Sequence, residues 1–143
     1  MVIYKRTQAG RNIMATVALI LLVMVGSNWW QSEAIVWPGI SIALIVLVLF
    51  FALTIEVSDT HVSWYFGFGF WRRKVAIKDI VSVQEEQFGW LNGYGIRRIA
   101  DGWLYRVDGK RALLLTKTDG KRVALGSHDV AGLKAAIVEA MKN

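Results

Sequence analysis

Two long apolar runs constrain this chain more than any other feature. From Ile13 to Val25 every residue is apolar except Thr16, and Trp29 and Trp30 follow a Gly26-Ser27-Asn28 break. Counted to Trp30 the run has 18 residues, roughly 27 Å of helix at 1.5 Å per residue. Ala34 to Leu53 is a further 20 residues without a charge, about 30 Å as helix. Both lengths match a hydrocarbon core of about 30 Å, and the rest of a 143-residue chain could hardly bury two such helices. The expectation is a membrane α-helical hairpin, with transmembrane helices at about 13–30 and 34–53. A basic N-terminal segment, 1–12, precedes it and a separate domain, 54–143, follows.

The charges around the runs suggest an orientation. Lys5, Arg6 and Arg11 flank the first, and Arg72, Arg73, Lys74 and Lys78 follow the second. The short link Gln31-Ser32-Glu33 holds one charge, and it is acidic. The positive-inside rule then places both termini in the cytoplasm and the link outside, with Trp29, Trp30 and Trp37 as an interfacial belt. A cleaved signal peptide is disfavoured, because no A-x-A-like site follows the first run. Neither run carries an ionisable residue of the kind a proton or ion pathway uses, so both read as an anchor, with the lipid bilayer as integral partner.

Composition removes several chemistries. The chain has no cysteine, which excludes disulfides, thiolate nucleophiles and Cys-ligated zinc or iron–sulfur clusters. Its two histidines, His61 and His128, stand beside turns and lack partners at ligand spacing. Glu85 and Glu86 are neighbours in a strand pattern and point to opposite faces. The expectation is no catalytic residue, no metal and no cofactor: a non-enzymatic protein.

From Leu53 onward the apolar period becomes two. Ile55 and Val57, then Val62, Trp64, Phe66 and Phe68, then Val75 and Ile77 form stripes. Further strands are expected at 81–87, 103–107, 112–117 and 123–126. Asp59-Thr60 reads as a tight turn, and Asp108-Gly109 and Asp119-Gly120 carry a hairpin signal. Val130, Leu133, Ile137 and Met141 repeat at helical spacing, behind Ser127 or Asp129 as cap. Seven antiparallel strands in meander order and one C-terminal α-helix predict an all-β barrel of the pleckstrin-homology (PH) kind, with the helix plugging one end.

The residues also carry a resemblance. Trp90-Leu91-Asn92-Gly93-Tyr94-Gly95-Ile96-Arg97, then Gly102-Trp103-Leu104-Tyr105, then Gly120 and Gly126 resemble the bacterial PH-domain family of small membrane proteins. The likeness covers about Leu53 to Met141. An acidic-Pro step common at the helix start of that family is Asp129-Val130 here. The resemblance implies a PH-like domain beside a transmembrane hairpin, in the bacterial inner (cytoplasmic) membrane as a multi-pass protein. It brings no activity to particular residues.

Gly93-Tyr94-Gly95-Ile96-Arg97 is not a dinucleotide fingerprint, since position 98 is Arg and strands flank it on both sides. The cations are more informative. After Leu53 there are 14 Lys and Arg against 10 Asp and Glu, with clusters at Arg72-Arg73-Lys74 and Arg97-Arg98. The long connection from Phe88 to Gly102 is too apolar for a solvated tail. The residues expected to meet a partner or lipid are therefore Arg72, Arg73, Lys74, Trp90, Tyr94, Arg97 and Arg98. Trp64 and Trp103 fit inward strand positions. The leading expectation is an anchored interaction module that binds a protein partner or itself as a homo-oligomer. The alternative is recognition of anionic lipid headgroups or a phosphorylated ligand by the basic loops. Nucleic acid is not expected, because no basic helix appears.

Overall fold

The computed structural model describes residues 2–30, 36–89, 91 and 95–142. Two helices interrupt an otherwise β-rich order. Strand β1 (Val2–Ala9) leads into helix α1 (Arg11–Trp30) and helix α2 (Val36–Phe50). Then come β2 (Ala52–Ser58), β3 (His61–Phe66), β4 (Phe70–Ala76) and β5 (Ile80–Gln87), with a 3-10 turn at Ile77–Asp79. β6 (Gly95–Ile99), β7 (Gly102–Arg106), β8 (Arg111–Lys117) and β9 (Arg122–Gly126) precede helix α3 (Val130–Lys142).

The expected transmembrane hairpin is corrected on its central requirement: among the described residues no helix is long and apolar enough to cross a membrane. The chain departs from the expectation at the end of the second run. Ala52 and Leu53 leave the helix to pair with Ala9 and Gln8 of β1, so α2 keeps 15 residues. That is about 22 Å, well short of a hydrocarbon core of about 30 Å. In α1, Arg11 and Asn12 at one end and Gly26-Ser27-Asn28 near the other interrupt the apolar length. The multi-pass placement in the bacterial inner membrane, and the topology drawn from it, fall with the helices. The Gln31–Glu33 link and the side chains of Trp29 and Trp30 lie outside the described residues.

The predicted seven-strand barrel is also corrected. Among the described residues nine strands form two sheets, ordered β1-β2-β3-β4 and β5-β8-β9-β7-β6, and they do not close into a barrel. All seven expected strands are present, and β1 and β6 are added. The basic lead becomes a strand because its backbone pairs along β2 from Val2↔Ser58 to Ala9↔Ala52. The second sheet is not a meander: β9 lies between β8 and β7 and runs parallel to β7, with Trp103↔Val123 in register. Asp119-Gly120 joins neighbours, but Asp108-Gly109 joins strands that are not paired.

Period-two burial builds the core between the sheets. Leu53, Val57, Val62 and Phe66 from the first sheet meet Leu113, Leu115 and Leu125 from the second, all with no exposed surface. Leu133 and Ile137 of α3 enter the same core, while Met141 is exposed. Asp129 caps α3: its Oδ1 accepts the Gly132 N–H at 3.2 Å, a short-range bond of the usual N-cap kind. A smaller cluster of Leu104, Ala112, Leu114 and Ala124 lies on the outer face of the second sheet, with Phe88 and Ile99 against it.

Candidate functional site

The sheets leave a cleft of about 470 Å³ between β4 and the β6-β7-β9 side of the second sheet. Its position follows from the open topology, since among the described residues β4 and β6 each keep an unpaired edge. Aromatic rings line it. Trp64 and Tyr105 have centroids 5.2 Å apart, and Trp71 and Trp103 are partly exposed at 44% and 46%. Arg73, Lys74 and Lys117 supply cations. Arg73 pairs in register with Trp64 across β3 and β4, so both occupy one face of the sheet. Burial pushes the Tyr105 phenol above its ordinary pKa, and the Arg73 guanidinium partly offsets this.

A second cleft of about 720 Å³ adjoins it and shares Trp103, Lys117 and Val123. Arg98, Lys121 and Arg122 line this one, together with Asp101 and Asp119. Trp103 thus stands between two cationic depressions. Gly102 makes this geometry possible, since a Cβ there would lie 1.6 Å from the Arg122 carbonyl oxygen.

The residues singled out from sequence are dispersed. Arg73 and Lys74 line the first cleft and Arg98 the second. Arg97 lines a separate groove of about 450 Å³ at the foot of the helices, with Ile13, Val17 and Phe50. Arg72 covers the Tyr65 ring, 4.4 Å from its centroid. Trp90 and Tyr94 lie outside the described residues. Sequence reasoning missed Lys117, Lys121 and Arg122 as members of the site. It also placed Trp103 inside, whereas the ring is half exposed. The paired cations at Lys121-Arg122 were a visible signal, but the parallel register that carries them to Trp103 was not.

The connection from Phe88 to Gly102 is not one long loop, because β6 occupies its second half. Its first residues are fixed by Arg106, which is 1% exposed. That guanidinium donates to the carbonyl oxygens of Phe88 at 2.8 Å, Gly89 at 2.7 Å and Gly109 at 3.2 Å. Of the histidines, His128 Nε2 lies 3.0 Å from Asp108 Oδ2, and His61 Nδ1 lies 2.9 Å from the Thr60 hydroxyl.

The helices present the other unusual surface. Ile13, Val17 and Ala43 are buried, but Leu19, Leu22, Val23 and Val25 of α1 are 58–71% exposed. On α2, Trp37, Ile42 and Ile45 are 57–65% exposed. The hairpin is tied to the first sheet at its foot. Phe50 stacks on Trp71 at 5.2 Å and meets Phe66 edge-on at 5.0 Å. No protein-family model, no curated protein and no solved structure matches the chain.

Proposed function

We propose that this chain is a non-enzymatic interaction module that associates with a second copy of itself through the α1–α2 hairpin. The observation that carries this reading is the exposed aliphatic surface of both helices, since contiguous apolar patches beyond a few hundred Å² mark interaction sites. Chemistry favours a second copy as the occupant. The described residues from Asn12 to Phe50 carry no charged side chain, so the face offers no charge pattern to select an unlike partner. A like apolar face covers it without burying an unpaired charge. Size agrees as well. A helix of 20 residues is about 30 Å long, and two side by side are about 20 Å wide. That gives a face of roughly 600 Å², close to the roughly 800 Å² per partner of a standard interface.

The test is sedimentation velocity of the full chain over a concentration series, for the parent and for Leu22→Glu plus Ile45→Glu. Both positions are exposed, so the β-sheet circular dichroism should be unchanged. The parent should be dimeric or larger and the double variant monomeric. A parent that is monomeric throughout overturns the reading. So does a parent that dissociates on addition of neutral vesicles and floats with them, which would assign the face to lipid.

A further inference from the structure

We infer that the groove between the helical hairpin and β6 binds a linear alkyl carboxylate of about eight carbons, its tail along α1 and its charge at Arg97. Helical spacing makes the walls aliphatic. Ile13, Val17 and Ile20 recur at i, i+4 and i+7 on α1 and line one side. Val46 and Phe50, one turn apart on α2, line another. Gly95, Ile96 and Arg97 of β6 complete the groove. β6 is an edge strand among the described residues, so no further strand covers this side. The hairpin and β6 meet at the foot, where a Cβ on Gly95 would lie 3.7 Å from the Phe50 ring.

Polarity in the groove is confined to one wall. Among the described residues Arg97 is the one charged side chain in the lining. Thr16 also lines it, but its hydroxyl is already committed to the Asn12 carbonyl at 2.8 Å. An aliphatic trough with a single cation selects an amphiphile of opposite charge. A carboxylate matches the guanidinium fork, and hydrogen bonds between charged groups are about twice as strong as neutral ones. The tail then covers Ile20 and Val46, which are 46% and 36% exposed.

The length of the tail follows from the helix. Ile13 to Ile20 is seven residues, about 10 Å along the axis. An extended chain spans about 1.2 Å per bond, so roughly eight carbons fill that distance. The volume, about 450 Å³, is within the range of roughly 300–1,000 Å³ for small-molecule sites. The groove is separate from the face assigned to self-association. Leu22 stands nine residues beyond Ile13, about 180° around α1 at about 100° per residue. The clefts beside Trp103 suit this ligand less well, since each carries at least three cations and neither is lined by α1 or α2.

The test is equilibrium dialysis of the full chain, without detergent, against linear carboxylates from butanoate to dodecanoate, each below its self-association concentration. Affinity should rise about three- to fourfold per methylene and level off beyond about nine chain atoms. Octanoate should saturate at a single ligand per chain. It should bind at least about tenfold tighter than octanol, which offers Arg97 no charge. Arg97 is exposed, so Arg97→Gln should remove that preference while the melting temperature stays near that of the parent. Thr16 is exposed as well. Thr16→Phe therefore fills the groove without entering the core, and should weaken octanoate by at least about tenfold. Each of the following overturns the proposal: no octanoate binding, octanol binding as tightly as octanoate, a preference for octanoate that survives Arg97→Gln, or full affinity in Thr16→Phe. Affinity that climbs unbroken through dodecanoate also overturns it, and would place the tail on the exposed helix faces. All of these are read per chain, so a parent that sediments as a monomer leaves them unchanged.

Discussion

The phenol of Tyr4 donates to Oδ2 of Asp129 at 3.0 Å, joining residues 125 positions apart. One belongs to the first strand and the other caps the last helix. Arg6 reaches the same carboxylate oxygen at 3.4 Å. Two residues further along the strand, the Gln8 side chain donates to the Gly126 carbonyl and accepts the His128 N–H at 2.9 Å. The N-terminal strand is therefore sewn to the β9–α3 junction by side chains as well as to β2 by its backbone.

This contact gives the first prediction. Burial, then the bond to Asp129 and its negative charge, push the Tyr4 pKa up to about 12. The folded state thus holds a proton that the unfolded state releases near pH 10. The resulting stability is present below about pH 10 and is lost as pH rises toward about 12. Tyr4→Phe should be less stable than the parent at pH 8 by about 1 kcal/mol, with a shallower alkaline decline. Chemical denaturation at pH 8 and pH 11 measures both, and parallel pH curves for the two proteins would contradict the assignment.

Arg106 gives the second. It is buried and bonds three carbonyl oxygens, two of them in the segment that follows β5. Hydrogen bonds from a charged group contribute about 1.5–3 kcal/mol each, less than additively. Arg106→Met should lower stability by roughly 3 kcal/mol and speed amide exchange at residues around Phe88. Unchanged exchange there would mean that the outer apolar cluster holds the segment without the arginine.

A third concerns α3. Leu133 and Ile137 are both 0% exposed and face the core shared by the two sheets. Leu133→Ala should cost about 2–5 kcal/mol, whereas Met141→Ala, at an exposed position, should fall within about 0.5 kcal/mol of the parent. Denaturant melts of both variants check this pair, and similar losses would show that α3 is packed differently.

How much of this was legible in the sequence differs between elements for physical reasons. The strands β2 and β3 could be read because alternate residues enter a common core, as Ile55, Val57, Val62 and Trp64 do. β1 could not: its burial is confined largely to Gln8, with Tyr4 partly covered. Such a strand is held by a backbone ladder and polar anchors, neither of which writes an apolar stripe. β6 was hidden in the same way, being five residues with two adjacent arginines. The end of the second apolar run was misread because hydropathy is blind to strand pairing. Ala52 and Leu53 are as apolar as their helical neighbours, yet they belong to β2. Arg73 and Lys74 were found through local charge. Lys117 and Trp103 join them only through sheet order, which no local pattern encodes.

Trp71 supplies the last prediction. It is one of two non-glycine residues with positive φ among the described residues, at 51°, a conformation that costs an L-residue roughly 1–2 kcal/mol. Two causes are available. The backbone could impose it, since the β3–β4 register shifts between Trp64 and Phe66 and the tip carries Gly67 and Gly69 at positive φ. Alternatively the ring could impose it, through its stack on Phe50 at 5.2 Å and 13°. Trp71→Ala and Trp71→Gly remove the same ring contacts, so their difference isolates the backbone. At an ordinary strand position Gly is less stable than Ala by roughly 0.5–1 kcal/mol. If the backbone imposes the turn, the order reverses here, because Ala keeps the strain and Gly does not. The close seat of the tip on the helix favours the backbone: a Cβ on Gly67 would lie 3.0 Å from the Val48 carbonyl oxygen and 3.1 Å from that of Leu49. The expected result is therefore that Trp71→Gly is the more stable variant by about 1 kcal/mol in denaturant melts. If Trp71→Ala is the more stable, the segment relaxes once the ring is gone, and the Phe50–Trp71 stack is what bends the strand.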